Sequence, residues 1–216
     1  MHLVRPDLLV LEALEPRTDT PAFWERLAHD LAALHTGTRA HRFGWHRDTW
    51  LGRMRQDNTW EEDGHRFFAE RRLLRWLHEP RVRAALDERD RAALERLCAA
   101  LPELLPAAPA CLTHGDLWSQ NVLSAHGAPA LIDPAVSYAW AEVDLSHLWS
   151  SPHPPEAARF FDVYAELTGL DGGWRARMPL LHLRQNLAVV AQFEPDWGHA
   201  DQARAVLAPF RRSRGR

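Results

Sequence analysis

Lysine is missing from this chain of 216 residues: all 26 basic residues are arginine. Such an arginine- and alanine-rich composition suggests a GC-rich coding sequence. It also leaves no lysine ammonium to hold a phosphate. Cysteine is scarce as well. Cys98 and Cys111 are too few for a disulfide-stapled scaffold and fit a reduced, cytosolic protein better. No stretch approaches the run of about 18 apolar residues that a membrane helix needs, and the N-terminus lacks a signal-peptide core. Acidic and basic residues nearly cancel, with a net charge of -3, so there is no footprint for nucleic acid. Histidine is plentiful, but the pairs His41/His46 and His147/His153 show neither the HExxH nor the Cys/His spacing of zinc sites. A G-x-S-x-G nucleophile elbow is lacking too. These absences point to a cytoplasmic protein that engages no nucleic acid and no membrane. Nothing in the sequence indicates an oligomeric state.

What is present suits one globular domain over residues 1–216, with 46% hydrophobic and 25% charged residues. The patterning is mainly helical. Leu8–Leu14 reads as a short apolar strand. Thr20 is placed to cap a helix with Pro21 in its first turn and a buried stripe of Phe23, Leu27, Leu31 and Leu34. His35, with Gly37 just beyond, reads as a helix-end residue near the backbone dipole. Residues 41–60 read as a long loop pinned by Trp45, Trp50 and Trp60. The sharper alternative is a substrate-side wall, with Gln56 and Asn58 lying between aromatics. A helix over 61–78 stops at Pro80, with Arg66, Arg71, Arg72 and Arg75 expected on a solvated face. Asp87 caps the next helix, which is expected to reach about Leu101 before Pro102, Pro106 and Pro109 break it. Further helices are expected at 142–150, 156–167, 177–193 and 199–211, the last four arginines forming a basic tail.

The chemistry gathers in two stretches, Thr113–Asn121 and Leu131–Ala135. Residues 110–114 read as a strand feeding a tight His-Gly-Asp loop. Residues 121–124 and 129–132 read as a β-hairpin around Ala125–Ala128. That hairpin folds Asn121 back beside Asp133, so that both reach one cation. Asp116 precedes Asn121 by five residues. A carboxylate, an amide five residues on and a carboxylate after a hairpin match the polar groups of phosphoryl transfer. One orients the attacking hydroxyl; the other two hold magnesium. Alone, Asp116 would read as a turn residue capping backbone amides, and Trp118 as ordinary core.

The segments His114-Gly115-Asp116-Leu117-Trp118 with Asn121, Asp133-Pro134-Ala135 followed by Tyr138, Glu142 and Asp144, and Gln56-Asp57-Asn58-Thr59-Trp60 resemble the fructosamine kinase family, within the aminoglycoside-phosphotransferase-like kinases. The likeness runs from about Leu8 to Trp149 and weakly beyond. It implies an α+β fold, mainly helical with a short β-hairpin, equivalent to the C-terminal lobe of a protein-kinase-like protein. Residues 1–14 would be the hinge segment, and the N-terminal lobe is expected to be missing, since neither a glycine-rich loop nor the phosphate lysine is present. The implied reaction is ATP- and Mg2+-dependent phosphorylation of a ketosamine sugar hydroxyl. Asp116 would be the base and Asn121 and Asp133 the metal ligands. Glu12 and Leu14 would meet the adenine. Trp118, Gln56, Asn58 and Glu142 would meet the acceptor, and His114 and Asp144 would brace the loop. Ala139-Trp140 and Glu194–Gly198 depart from the family pattern at places that shape the acceptor pocket. Two alternatives stay open: a noncatalytic binding remnant, and a kinase for another alcohol such as an aminoglycoside.

Overall fold

Two short strands, β1 (Leu3–Arg5) and β2 (Leu8–Val10), form an antiparallel hairpin at the start of residues 3–211, which the computed structural model describes. The apolar run Leu8–Leu14 is therefore a strand only as far as Val10. Its side chains are not core: Val4, Leu9 and Leu11 are more than half exposed. From Leu11 the chain is extended and unpaired until Glu15 exchanges two backbone hydrogen bonds with Ser124.

Helix α1 (Pro21–Gly37) starts where expected, with the Thr20 hydroxyl accepting from the Phe23 N–H. Phe23, Trp24, Leu27 and Leu31 are buried against the helix at Ala158–Thr168. His35 falls in the last turn of α1, as expected, but on its buried side. It lies in the same stripe as Leu31, four residues on, and is 3% exposed. The loop reading of residues 41–60 also needs correction. It contains a hairpin, β3 (Thr49–Leu51) and β4 (Met54–Gln56), turning at Gly52.

Helix α2 (Gly64–Phe68) continues through a wider-wound turn, Ala69–Leu73, and a tighter one, Leu74–His78. The changed winding turns Arg72 inward, so the expected solvated arginine face is wrong at that residue. Arg72 is 3% exposed, stacks over Phe67 and donates to Asn58 and to the carbonyl of Asp57. Helix α3 (Pro80–Ala85) follows, then α4 (Glu88–Leu104), whose Asp87 cap accepts from the Asp90 N–H. Pro102 falls in the last turn of α4, where it does not end the helix.

Strand β5 (Cys111–Thr113) pairs antiparallel with β8 (Ser137–Ala139), a strand the sequence did not announce. Between them lies the expected hairpin, β6 (Val122–Ala125) with β7 (Ala128–Leu131). Its two-residue turn, His126-Gly127, has φ of 51° and 81°, which suits the mirror-image turns that match strand twist. Helices α5 (Glu142–Ser150), α6 (Ala158–Thr168), α7 (Trp174–Gln192) and α8 (His199–Leu207) complete the fold. Helix α7 packs on both α5 and α8, and so forms one wall behind the β5–β6 loop. Trp24, Trp76, Trp174, Phe67 and Phe160 anchor the core. No helix among the described residues is long and apolar enough to cross a membrane. Of the expected basic tail, Arg211 pairs with the buried Asp90, and the rest lies outside the described residues.

Candidate active site

Strand β5 leads into a loop fixed from beneath, in which His114 and Gly115 are buried and Asp116 is partly exposed. Gly115 has φ of 77°, and a Cβ added there would run into the carbonyl oxygen of Ala135. Gly115→Ala is therefore expected to destabilise the fold by ~1–3 kcal/mol, read as a lower midpoint of urea unfolding. The loop's amides end on Asp144, in the first turn of α5. Its carboxylate accepts from the N–H of His114 at 2.8 Å and of Gly115 at 2.7 Å. It is fully buried and also meets His35 Nε2 at 3.2 Å, while His35 Nδ1 meets the Tyr164 hydroxyl. Burial alone would raise this carboxyl. The His35 contact, the neighbouring imidazoles and the loop amides outweigh it and hold the group below the usual range.

The His114 ring sits under the hairpin, with Nε2 at 2.8 Å from the Ile132 carbonyl. Arg184, from the middle of α7, donates to the Gly115 carbonyl at 2.6 Å and to Gln56 Oε1. Burial pulls its guanidinium down to about 10, so it remains a cation behind the loop.

Asp116 is a side chain with 22% exposure at the rim of a cavity of about 550 Å³. Burial pushes its carboxyl up, against the opposing charge of Arg184 and the hydrogen bond from Gln185. Gln185 Nε2 donates to Oδ1 at 2.7 Å, and His147 Nδ1 is 3.3 Å from the same oxygen. Among the described residues, Oδ2 is left with the Asn121 amide, at 3.5 Å. The stronger bond of that amide, 2.8 Å, goes to the Asp116 carbonyl, which leaves Asn121 Oδ1 free to face a cation.

Asp133 lies beside it because the hairpin register pairs Val122 with Leu131, and the Ile132 N–H donates to the Asn121 carbonyl. Asp133 has φ of 53°, a left-handed conformation that a residue with a Cβ rarely adopts. Its carboxylate is exposed, with no protein donor among the described residues. Two side-chain oxygens beside open space suit magnesium, which keeps waters and phosphate oxygens in its shell. Asn121→Ala and Asp133→Ala are each expected to raise the magnesium concentration needed for half-maximal turnover, read from rates across a magnesium titration.

Trp118 lines the same cavity as Asp116, its indole stacked over the His147 ring at 6.4 Å. The remaining sequence expectations fare differently. Gln56 and Asn58 are 2% and 0% exposed. Gln56 binds Arg184 and the Ala135 carbonyl, and Asn58 binds Arg72 and Thr49, so neither has a surface to offer an acceptor. They hold two buried arginines in place. Glu142 is also committed elsewhere, in a bidentate pair with Arg177 at 2.8 Å on the far side of the loop. Glu12 is exposed and Leu14 half-buried, on the extended segment leading to the Glu15–Ser124 bridge. The sequence reading missed Gln185, His182 and His147 as cavity residues, Arg184 beneath the loop, and His35 behind Asp144.

Comparison with known proteins meets this geometry from outside. The profile described as Fructosamine kinase matches residues 3–209. A probable ketoamine kinase of Synechocystis is 35% identical over 200 residues, covering 92% of this chain and 66% of that protein. A chloroplastic protein-ribulosamine 3-kinase of Arabidopsis thaliana is 29% identical over 159 residues, covering 71% of this chain and 47% of that one. The crystal structure of a fructosamine-3-kinase candidate from Thermobifida fusca superposes with a TM-score of 0.81 at 36% identity, over 91% of this chain and 69% of that one. The chain thus spans about two thirds of the length of the Synechocystis and Thermobifida proteins it resembles, or somewhat less of other relatives. With the profile matching nearly all of it and a ketoamine kinase relative 35% identical over most of its length, the chain belongs to the fructosamine kinase family.

Proposed function

We propose that this chain carries the base and the metal-binding side of a kinase that uses ATP to phosphorylate a sugar hydroxyl of a ketosamine. The observation that supports this most is the hydrogen bond of Asn121 to Asp116, with the hairpin register bringing Asp133 alongside and Asp116 itself at the rim of an aromatic-walled cavity. In this reading residues 3–211 correspond to the C-terminal lobe of a kinase-like fold. The Glu12–Leu14 segment, its backbone unpaired, lies along the adenine, and Trp118, Phe193 and Trp197 form apolar faces for the acceptor. ATP supplies the phosphoryl group, and magnesium, when bound, would offset charge on its phosphates. Asp116 Oδ2, the carboxylate oxygen that Gln185 leaves free, orients the acceptor hydroxyl and takes its proton late in a loose transition state. Asn121 Oδ1 and the Asp133 carboxylate would hold the cation.

The cavity also bears on the acceptor. Asp116 is the one carboxylate among its lining residues, which otherwise carry glutamine, serine and histidine. An aminoglycoside, with several ammonium groups, needs several buried anions. A neutral polyol joined to one amine does not, so the ketosamine reading is favoured over the aminoglycoside one. Two free, buried thiols, each pushed up to about 12 by burial, fit a cytoplasmic setting.

The test is ADP release by the purified chain with magnesium, ATP and a fructosamine or ribulosamine of a small amine. Acceptor-dependent ADP is the expected result. Binding of ATP and acceptor without turnover would favour the noncatalytic reading. Absence of nucleotide binding by calorimetry would overturn the assignment of the site.

A further inference from the structure

Four polar side chains of the cavity play no part in the mechanism above. Gln185, His182 and His199 come from α7 and α8, and His147 from α5. Their arrangement is specific. The Gln185 amide nitrogen lies 2.7 Å from Asp116 Oδ1 and 2.9 Å from His147 Nδ1. An amide has two N–H bonds, so one donates to the carboxylate and the other to the ring nitrogen. That fixes the tautomer of His147: Nδ1 accepts, and the proton sits on Nε2. The ring is held flat by Trp118 on one side and meets His182 at 5.4 Å. His182 in turn meets His199 at 6.4 Å, and His199 is anchored by the Asn186 side chain at 2.8 Å.

His182 is unlike the other two. It is 4% exposed and makes no hydrogen bond among the described residues, its Nδ1 being enclosed there without a partner. A buried polar side chain without partners is unusual, and here it lines the cavity that holds Asp116. Burial keeps both His147 and His182 neutral, His182 falling to about 4. A neutral imidazole offers one donor and one acceptor, which matches a hydroxyl and gives a cation no charge to pair with.

We propose that Gln185 and His147 position the Asp116 carboxylate, and that His182 is a specificity contact for a second hydroxyl of the acceptor, beside the one phosphorylated. The site then selects a polyhydroxylated acceptor over a simple amino alcohol. This rests on the ketosamine kinase reading and sharpens it. Gln185 and His147 are positioning residues, since they act through Asp116; His182 would touch the substrate itself.

Three variants test it, with a ketosamine and its analogue lacking the neighbouring hydroxyl as paired acceptors. Gln185→Met keeps the length of the side chain and removes both donors. It is expected to lower kcat by about tenfold or more with acceptor KM nearly unchanged. His182→Phe keeps the ring between His147 and His199. It is expected to raise acceptor KM about tenfold, to leave the KM for ATP alone, and to erase the preference for the full sugar over its deoxy analogue. His182→Asn, which restores a donor and an acceptor, should recover part of that preference. Should His182→Phe fold and still prefer the full sugar by the wild-type factor, the contact is refuted. An unchanged kcat in Gln185→Met removes the positioning role. Calorimetric affinities for the two acceptors give the same ratio without turnover. A wild-type chain that binds the sugar selectively but transfers no phosphate would sink the kinase reading and leave the His182 contact standing. Equal affinities in the wild type would sink the contact alone.

Discussion

Asp116→Asn is expected to lower acceptor-dependent turnover by about 10²- to 10⁴-fold, the range a positioned general base contributes, while the far-ultraviolet circular dichroism and the affinity for ATP stay as in the parent. Asparagine has the size and shape of aspartate. Its Oδ1 still accepts the Gln185 amide at the 2.7 Å position, so the loop loses little of its support. What disappears is the second oxygen. Among the described residues Oδ2 meets the Asn121 amide at 3.5 Å, and it is the atom open to an acceptor hydroxyl. An NH2 group there cannot take a proton, and it turns two donors toward a hydroxyl that needs an acceptor.

The loss must appear in kcat. A variant that raised only acceptor KM would show that Asp116 binds the sugar without serving as base. The expected loss exceeds that for Asn121→Ala or Asp133→Ala, where added magnesium restores part of the rate, whereas no concentration of metal or acceptor replaces the base. Initial rates over a matrix of magnesium and acceptor concentrations separate the two patterns.

Much of this site could be read from spacing alone, because its parts are held by local structure. The tight loop after β5 and the two-residue turn at His126-Gly127 set the relation of Asp116, Asn121 and Asp133, and both carry turn residues in plain view. The helix starts at Thr20 and Asp87 were equally legible, since a cap needs only its own neighbours. Groups that depend on long-range packing were not legible. Eight arginines fall within residues 66–91, and nothing local says that Arg72 is the one turned inward, because the wider-wound turn at Ala69–Leu73 decides it. Gln56 and Asn58 looked like a polar wall between aromatics. Their partners, Arg184 and Arg72, come from other helices, so their burial is a tertiary fact. Strands β3, β4 and β8 are three residues each, too short for alternation to register. His35 did leave a trace: it continues the 27, 31 stripe of α1 by four, and that phase pointed inward. A similar trace marks α7, where His182, Gln185 and Val189 share one face, but it does not tell a cavity from a core.

Asp144→Ala is the substitution expected to cost the most stability, about 3–5 kcal/mol, as for removal of one partner from a buried charged network, out of a total of about 5–15 kcal/mol for a folded domain. Three groups lose their acceptor at once: the N–H of His114, the N–H of Gly115 and the His35 ring. None can turn to solvent, since His35 is 3% and His114 6% exposed. Asp144→Asn should lose less, because its one oxygen still accepts from one of the amides. The difference between parent and Asp144→Ala also has a pH signature. The folded carboxyl sits below its ordinary value, so the unfolded chain binds the proton more tightly. The stabilisation is complete above the unfolded value of about 4 and is lost as pH falls through the depressed folded value. Urea unfolding at neutral pH should therefore show the full gap, and the gap should narrow in acid below about pH 4. A gap that stayed constant into acid would mean that Asp144 contributes shape and packing, and that its charge does not hold the loop. A gap near zero at neutral pH would mean that Arg184, through the Gly115 carbonyl, suffices to keep Asp116 in place.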